Sequence, residues 1–299
     1  MLKTAKYLAF TAVLGFAACS DIPDSICDSV SGPSIEAEFC NKGFDLIPFK
    51  MKSRAQDGQE TDTSAIIAKS KDQFPSRNYV RAMLEDFKGN KGVYRDIERE
   101  SMAEELIEGF WADISKNMGK GSTTKEKEYI TPEPDSLNGK VTKFLCCDLR
   151  GKSVGECIED CFDRNSNQTL SEFIGSDDGK YYGDCDDFSM AMQTAYELSL
   201  EIAEKRAKDD NFWGTLADGL HNRPMYIANL KDLKSNNGHS MNIWFKKNDS
   251  SINLIEPQNY LEDSNLSIEE SGIFIDQWNT IFKVLGICNS AGCYVISKQ

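Results

Sequence analysis

Apolar residues recur at helical spacing in three stretches of this 299-residue chain and alternate in several shorter ones. After Pro75-Ser76, the residues Tyr79, Val80, Met83, Leu84 and Phe87 trace one face of an amphipathic helix. Beyond Gly89 and Gly92, a longer stripe of Ile97, Leu106, Ile107, Phe110, Trp111 and Ile114 predicts a second helix ending near Gly119. A third runs from Asp184 to about Lys208, with Phe188, Met192, Ala195, Tyr196, Ser199 and Ile202 as its inward stripe. Strand-like runs follow at Met225 to Leu230, Gly238 to Phe245, Ile252 to Gln258 and Tyr294 to Ser297. The polar turn Lys246 to Ser251 joins the middle two as a β-hairpin. Polar stretches at Gln56 to Thr63 and Lys120 to Lys140 read as linkers. The pattern predicts an α+β fold with helices first and the sheet after. It divides the chain into residues 1–18, a leader; 19–70, an N-terminal segment and linker; 71–140, a helical region; and 141–299, the main domain.

The leader has a basic start, Met1 to Lys6, then an apolar run, Tyr7 to Ala18, too short to cross a bilayer as a mature helix. It closes on Ala17-Ala18-Cys19-Ser20, which resembles a bacterial lipoprotein signal with Cys19 as the lipidated residue. Phe16 stands where such signals usually carry Leu, so ordinary cleavage after Ala18 stays open. Either route predicts export to a bacterial cell envelope, periplasm or outer membrane; the lipoprotein route adds a lipid on Cys19 as the membrane attachment.

Cysteine usage agrees with export. Setting aside Cys19 for lipid and Cys185 for chemistry leaves Cys27, Cys40, Cys146, Cys147, Cys157, Cys161, Cys288 and Cys293, an even set suited to an oxidising compartment. Spacing pairs Cys27 with Cys40 and Cys288 with Cys293. Two further bridges fall within the cluster Cys146, Cys147, Cys157 and Cys161, whose connectivity stays open. Adjacent cysteines fit tetrahedral zinc poorly. The formal charge of −14 repels phosphate backbones, so no nucleic-acid partner is expected, and a protein or peptide substrate is.

Chemistry concentrates in Tyr182-Gly183-Asp184-Cys185-Asp186-Asp187-Phe188-Ser189. Cys185 stands at the first turn of the third helix, where free N–H groups and the helix dipole favour thiolate. Asp184 suits the N-cap and Gly183 a tight turn. Asp184, Asp186 and Asp187 oppose ionisation of the thiol, so a base must offset them. Only two histidines exist, His221 and His239. His239 opens the first strand of the hairpin and Glu256 closes the second, so antiparallel pairing brings them to one end of the sheet. There an imidazole can deprotonate Cys185 while a carboxylate orients the ring.

Gly-Asp-Cys-Asp-Asp-Phe, then His-Ser-Met-Asn-Ile-Trp, then Leu-Ile-Glu-Pro-Gln resembles the transglutaminase-like, papain-fold cysteine peptidase superfamily, above all its bacterial transglutaminase-like cysteine proteinases. The resemblance covers roughly residues 181–258. It implies a papain/transglutaminase-like core, a nucleophile helix packed on an antiparallel sheet, with Cys185 as nucleophile, His239 as base and Glu256 as orienting acid. Many members carry Asp at the third position, and Gln258 and Asn242 are alternative orienting or oxyanion amides. No upstream Gln or Trp suggests itself for the oxyanion hole, and the Cys185 N–H can supply part of it.

Asp163 to Ile174 resembles an EF-hand loop, with oxygen donors Asp163, Asn165, Asn167 and Thr169 as calcium ligands. Gln168 replaces the turn glycine and Ile174 the bidentate glutamate, which fits a plain polar turn as well. The chemistry itself requires no cofactor. The expected function is an exported or lipid-anchored cysteine hydrolase, a peptidase acting through a thioacyl intermediate, with acyl transfer open to the same machinery. The rival is a non-catalytic, disulfide-stapled surface lipoprotein that binds a partner, with or without calcium.

Overall fold

A computed structural model describes residues 25–55, 60–91, 99–118, 166–175, 179–208, 210–232, 238–246, 251–258, 261–263, 267–269, 272–275 and 282–298. Cys19 and the leader, Cys146, Cys147, Cys157, Cys161, Asp163 and Asn165 lie outside these residues, as do the expected boundary at 140 and the Lys120 to Lys140 linker. The described part is mixed α and β.

The helices are α1 (Ile35–Asn41), α2 (Thr63–Asp72), α3 (Phe74–Lys91), α4 (Arg99–Lys116), α5 (Leu170–Phe173), α6 (Cys185–Arg206) and α7 (Asn211–His221). The strands are β1 (Phe44–Phe49), β2 (Lys52–Ala55), β3 (Glu60–Asp62), β4 (Ser166–Asn167), β5 (Met225–Asp232), β6 (Gly238–Lys246), β7 (Ser251–Glu256), β8 (Leu261–Asp263), β9 (Ser267–Glu269), β10 (Gly272–Ile275), β11 (Phe282–Asn289) and β12 (Gly292–Lys298). The main sheet runs β1-β12-β11-β5-β6-β7-β8, antiparallel throughout, with β10 and β9 added beside β11. A small second sheet, β3-β2-β4, includes one parallel pairing.

The three helices read from the apolar stripes are α3, α4 and α6, and the hairpin is β6-β7. Sequence reading underestimated the N-terminal segment. Its strand β1 pairs along β12, so the start and end of the described chain share one sheet edge. Pro48 lacks an N–H and is tolerated because β1 is that edge. Part of the expected linker, Glu60 to Thr63, is strand β3 and the start of α2. Ser70 sits in α2, whose Ile66 and Ile67 pack on Met190 and Ile227. Within β11 a bulge falls between Val284 and Gly286. A side chain at 286 would meet the Tyr294 carbonyl oxygen at 2.7 Å, so glycine is needed there.

The sheet carries a different core on each face. Tyr226, Ala228 and Leu230 of β5 and Met241, Ile243 and Phe245 of β6 pack with α1 and β1 through Ile35, Phe39, Phe44 and Leu46. The alternate residues Met225 and Trp244 join the helical core of α3, α4, α6 and α7. Full burial of a side chain such as Phe188 contributes about 2–3 kcal/mol. Helix α6 is enclosed by other elements, so Ser189, Gln193 and Thr194 are buried as well as its apolar stripe. A sequence stripe predicts one covered face; the packing of α2, α3, α4, α5 and α7 around α6 covers the rest.

Both disulfides expected from spacing form: Cys27–Cys40 clips α1 to the preceding 3-10 turn, and Cys288–Cys293 staples the β11-β12 hairpin. Closing the 13-residue separation of Cys27 and Cys40 stabilises by about 3 kcal/mol on loop-entropy grounds. Such bridges suit an oxidising, extracytoplasmic setting. Among the described residues no helix is long and apolar enough to cross a membrane.

Candidate active site

The start of α6 is built by its own acids. Asp184 is the N-cap and its side chain accepts from the Asp186 N–H at 3.2 Å. Asp187 answers by accepting from the Asp184 N–H at 3.1 Å, which completes a capping box worth roughly 1 kcal/mol. Asp187 is buried and also receives the main-chain N–H of Gln168 at 2.7 Å and its side-chain amide at 3.1 Å. Gly183 is required for room rather than for a special backbone angle: a Cβ there would lie 2.5 Å from that of Asp187. The turn that presents Cys185 is therefore pinned from two sides.

Cys185 is the free cysteine among the described residues and is partly exposed. Its thiol donates to Asp186 Oδ1 at 3.8 Å, and the main-chain N–H of Ser240 points at the sulfur. Desolvation, then the charges of Asp186 and Asp184, push the thiol well above its ordinary range; the Ser240 N–H pulls the other way. The resting state is the neutral thiol. The helix dipole expected to favour thiolate is outweighed by desolvation and by the acids at the same helix start.

Asp186 is raised as well, by desolvation first and by Asp184 second. Its Oδ1 meets Ser240 Oγ in a very short hydrogen bond, and the same hydroxyl lies 3.2 Å from Asn229 Oδ1. A serine has one proton to give. It can serve Asp186 or Asn229 at one time, not both.

The hairpin supplies the other half. His239 Nε2 lies 2.5 Å from Glu256 Oε2, with side-chain exposures of 22% and 2%, so the pair stands at the rim with its carboxylate inside. Glu256 Oε1 accepts from the main-chain N–H of Gln258 at 3.1 Å. Helix α4 buttresses this strand end, as Trp111 Nε1 donates to the Glu256 carbonyl at 3.1 Å and Ser115 Oγ to the Pro257 carbonyl at 2.9 Å. The imidazole rests against Phe282, ring centres 5.6 Å apart. Bonding of Nε2 to Glu256 leaves Nδ1 for a second partner.

Antiparallel pairing thus brings His239 and Glu256 together as expected. Contact between the imidazole and the sulfur is not made. Alternation along β6 turns Ser240, Asn242 and Trp244 toward α6, while His239 has the parity of Met241, Ile243 and Phe245. The two halves still sense each other: His239 lowers the pKa of Asp186, and Glu256 raises that of Cys185.

No family model, curated protein or solved structure matches the chain.

Asn242 is committed to the fold, its Nδ2 donating to the Ser189 carbonyl of α6 at 3.1 Å. Gln258 reaches Glu256 through its main chain. Of the loop donors, Thr169 caps α5, accepting from the Glu172 N–H and donating to Glu172 Oε2 at 2.8 Å, and Asn167 lies in β4 beside Ala55. Among the described residues no group of three or more His, Cys, Asp or Glu is placed to hold a metal. Sequence reasoning missed Ser240, Asn229, Trp111 and Ser115, whose roles depend on contacts far along the chain. Gln168, read from the sequence only as the residue in place of the loop glycine, lies upstream of the cysteine; its amide is spent on Asp187 and the Tyr182 carbonyl at 3.0 Å.

Proposed function

We propose that the protein is an exported cysteine hydrolase, a peptidase built on a papain/transglutaminase-like core and held at the envelope by a lipid on Cys19. The observation that carries this reading is the His239–Glu256 pair, held by α4 beside the helix start that presents the free thiol of Cys185. In the reaction His239 Nδ1 takes the Cys185 proton while Glu256 steadies Nε2. The sulfur adds to the substrate carbonyl, the amine leaves with the proton from His239, and water hydrolyses the thioester. The reaction needs the imidazole to turn toward the sulfur, a contact that the resting state does not make and that substrate binding has to bring about. The two disulfides support export.

A second reading, a binding module without turnover, is favoured by one observation: the thiol donates to Asp186 and is held neutral. Incubation with a mixed peptide library separates the two. Hydrolysis, with a hydroxylamine-labile adduct of intact mass on Cys185 that vanishes in Cys185→Ala, is the expected result. Absence of both cleavage and adduct in the wild type would leave the binding module standing.

A further inference from the structure

Helix α4 touches both halves of the site, from two different sides. Trp111 and Ser115 stand four residues apart and hold the end of β7 through the Glu256 and Pro257 carbonyls. Asp113 and Asn117, also four apart, lie roughly 200° round the helix from that pair. They hold the loop that leads into α6. Tyr181 Oη donates to Asp113 Oδ2 at 3.0 Å, and the Tyr181 main-chain N–H donates to the Asn117 carbonyl at 2.8 Å. Met118, one residue on, forms a parallel bridge with Tyr181.

The Asp113 carboxylate is fixed by three neutral donors. Tyr79 Oη of α3 gives its proton to the same Oδ2 at 2.7 Å, and Asn117 Nδ2 gives one to Oδ1 at 2.9 Å. Desolvation first, and the charge of Asp113 second, push both phenols well above their ordinary range, so each keeps its proton and donates.

From Tyr181 the path to the thiol is four residues long and held throughout. The Tyr182 carbonyl accepts from Gln168, Gly183 lies tight against Asp187, and Asp184 is locked in the capping box. Behind the loop, the Tyr181 ring packs on Phe173 with ring centres 5.2 Å apart, and Phe173 packs on Phe188 of α6 at 4.9 Å. A displacement of Tyr181 is therefore passed on to Cys185 rather than absorbed.

We infer that α4 sets the gap between Cys185 and His239, with Asp113 and Trp111 as positioning residues. Asp113 acts through Tyr181 on the sulfur, and Trp111 acts through the Glu256 main chain on the imidazole. That the gap serves a thioester reaction rests on the hydrolase reading; the shared mount does not.

A nitroxide on Cys185, its attachment confirmed by mass mapping, reports the gap in the intact protein through paramagnetic broadening of the His239 Cε1–H resonance. With only two histidines in the chain, His221 at the end of α7 is the internal reference. Tyr181→Phe and Trp111→Phe, each one hydrogen bond short, should each weaken the His239 broadening about twofold or more and leave that of His221 as it was. Asp113→Asn, which keeps an acceptor oxygen, should change it less than Asp113→Ala. The same variants should lower kcat for peptide cleavage about tenfold with KM held within about twofold, the mark of misplacement rather than weaker binding. Unchanged broadening in both Tyr181→Phe and Trp111→Phe would overturn the mount. So would an equal change in Arg77→Ala, a small loss of stability away from α4, since that would be general loosening. Weakened broadening in a protein without wild-type turnover would uphold the mount and reject the hydrolase; turnover with unchanged broadening would do the reverse.

Discussion

The two halves of α6 treat their carboxylates in opposite ways. At its start Asp184, Asp186 and Asp187 crowd around Cys185, and their partners are main-chain N–H groups, a serine and an amide. Further along, Glu197, Glu201 and Glu204 each face a basic side chain. Consequently Asp186 is raised by desolvation and Glu201, despite its own desolvation, is lowered by Lys205 and Arg77. Same helix, same residue chemistry: what differs is whether a cation was brought to the acid. Asp186 is held toward its protonated form, Glu201 toward its charged one.

The largest effect is expected at the buried carboxylate of the hairpin that faces the start of this helix. Glu256→Ala should destabilise by about 3 kcal/mol in urea unfolding, because a buried partner is removed from His239 and from the Gln258 N–H. A loss under about 1 kcal/mol would mean that the strand end is not held as described.

Next comes thiol reactivity. The wild-type alkylation rate of Cys185 should still be climbing at pH 9, and Asp186→Asn should raise the rate at pH 7 several-fold and move the profile to lower pH. An unchanged pH profile would show that Asp186 does not hold the thiol neutral.

Stability against pH separates the halves further. The folded state binds the Asp186 proton more tightly than the unfolded chain, so its contribution is full below the ordinary carboxyl range and is lost as pH rises above about 4. Asp186→Asn should flatten that decline. Glu201 runs the other way, contributing above its ordinary range and losing this as pH falls through its lowered value. Arg77→Ala should therefore cost only about 0.5–1 kcal/mol near pH 7 and less in acid, since the pair is partly exposed and screened. Smallest of all, Glu204→Gln should move the melting midpoint by less than about 1 °C, since its pair with His221 is about half exposed.

Much of this architecture was readable from spacing. The stripes of α3, α4 and α6 and the alternation of β6 located those elements within a few residues, because each buries a regular face. Cys27–Cys40 and Cys288–Cys293 followed from short loops. Helix α2 and strand β1 were not read, since Thr63 to Asp72 has a weak stripe and β1 contains a proline. The site was half legible. His239 and Glu256 could be paired from hairpin register alone, but the face on which β6 presents Ser240 to α6 depends on how helix and sheet dock.

By itself the sequence determined which residues can do chemistry: a capped helix that begins with cysteine, a histidine and glutamate on neighbouring strands, and acids along one helix side. Those are local facts of capping, periodicity and register. The tertiary structure alone decided which charges lie together. It set Asp186 between the thiol and Ser240, and gave Glu201 its two cations. The physical reason is that pKa and binding depend on desolvation and on neighbours brought from distant segments, and no spacing along one chain encodes either.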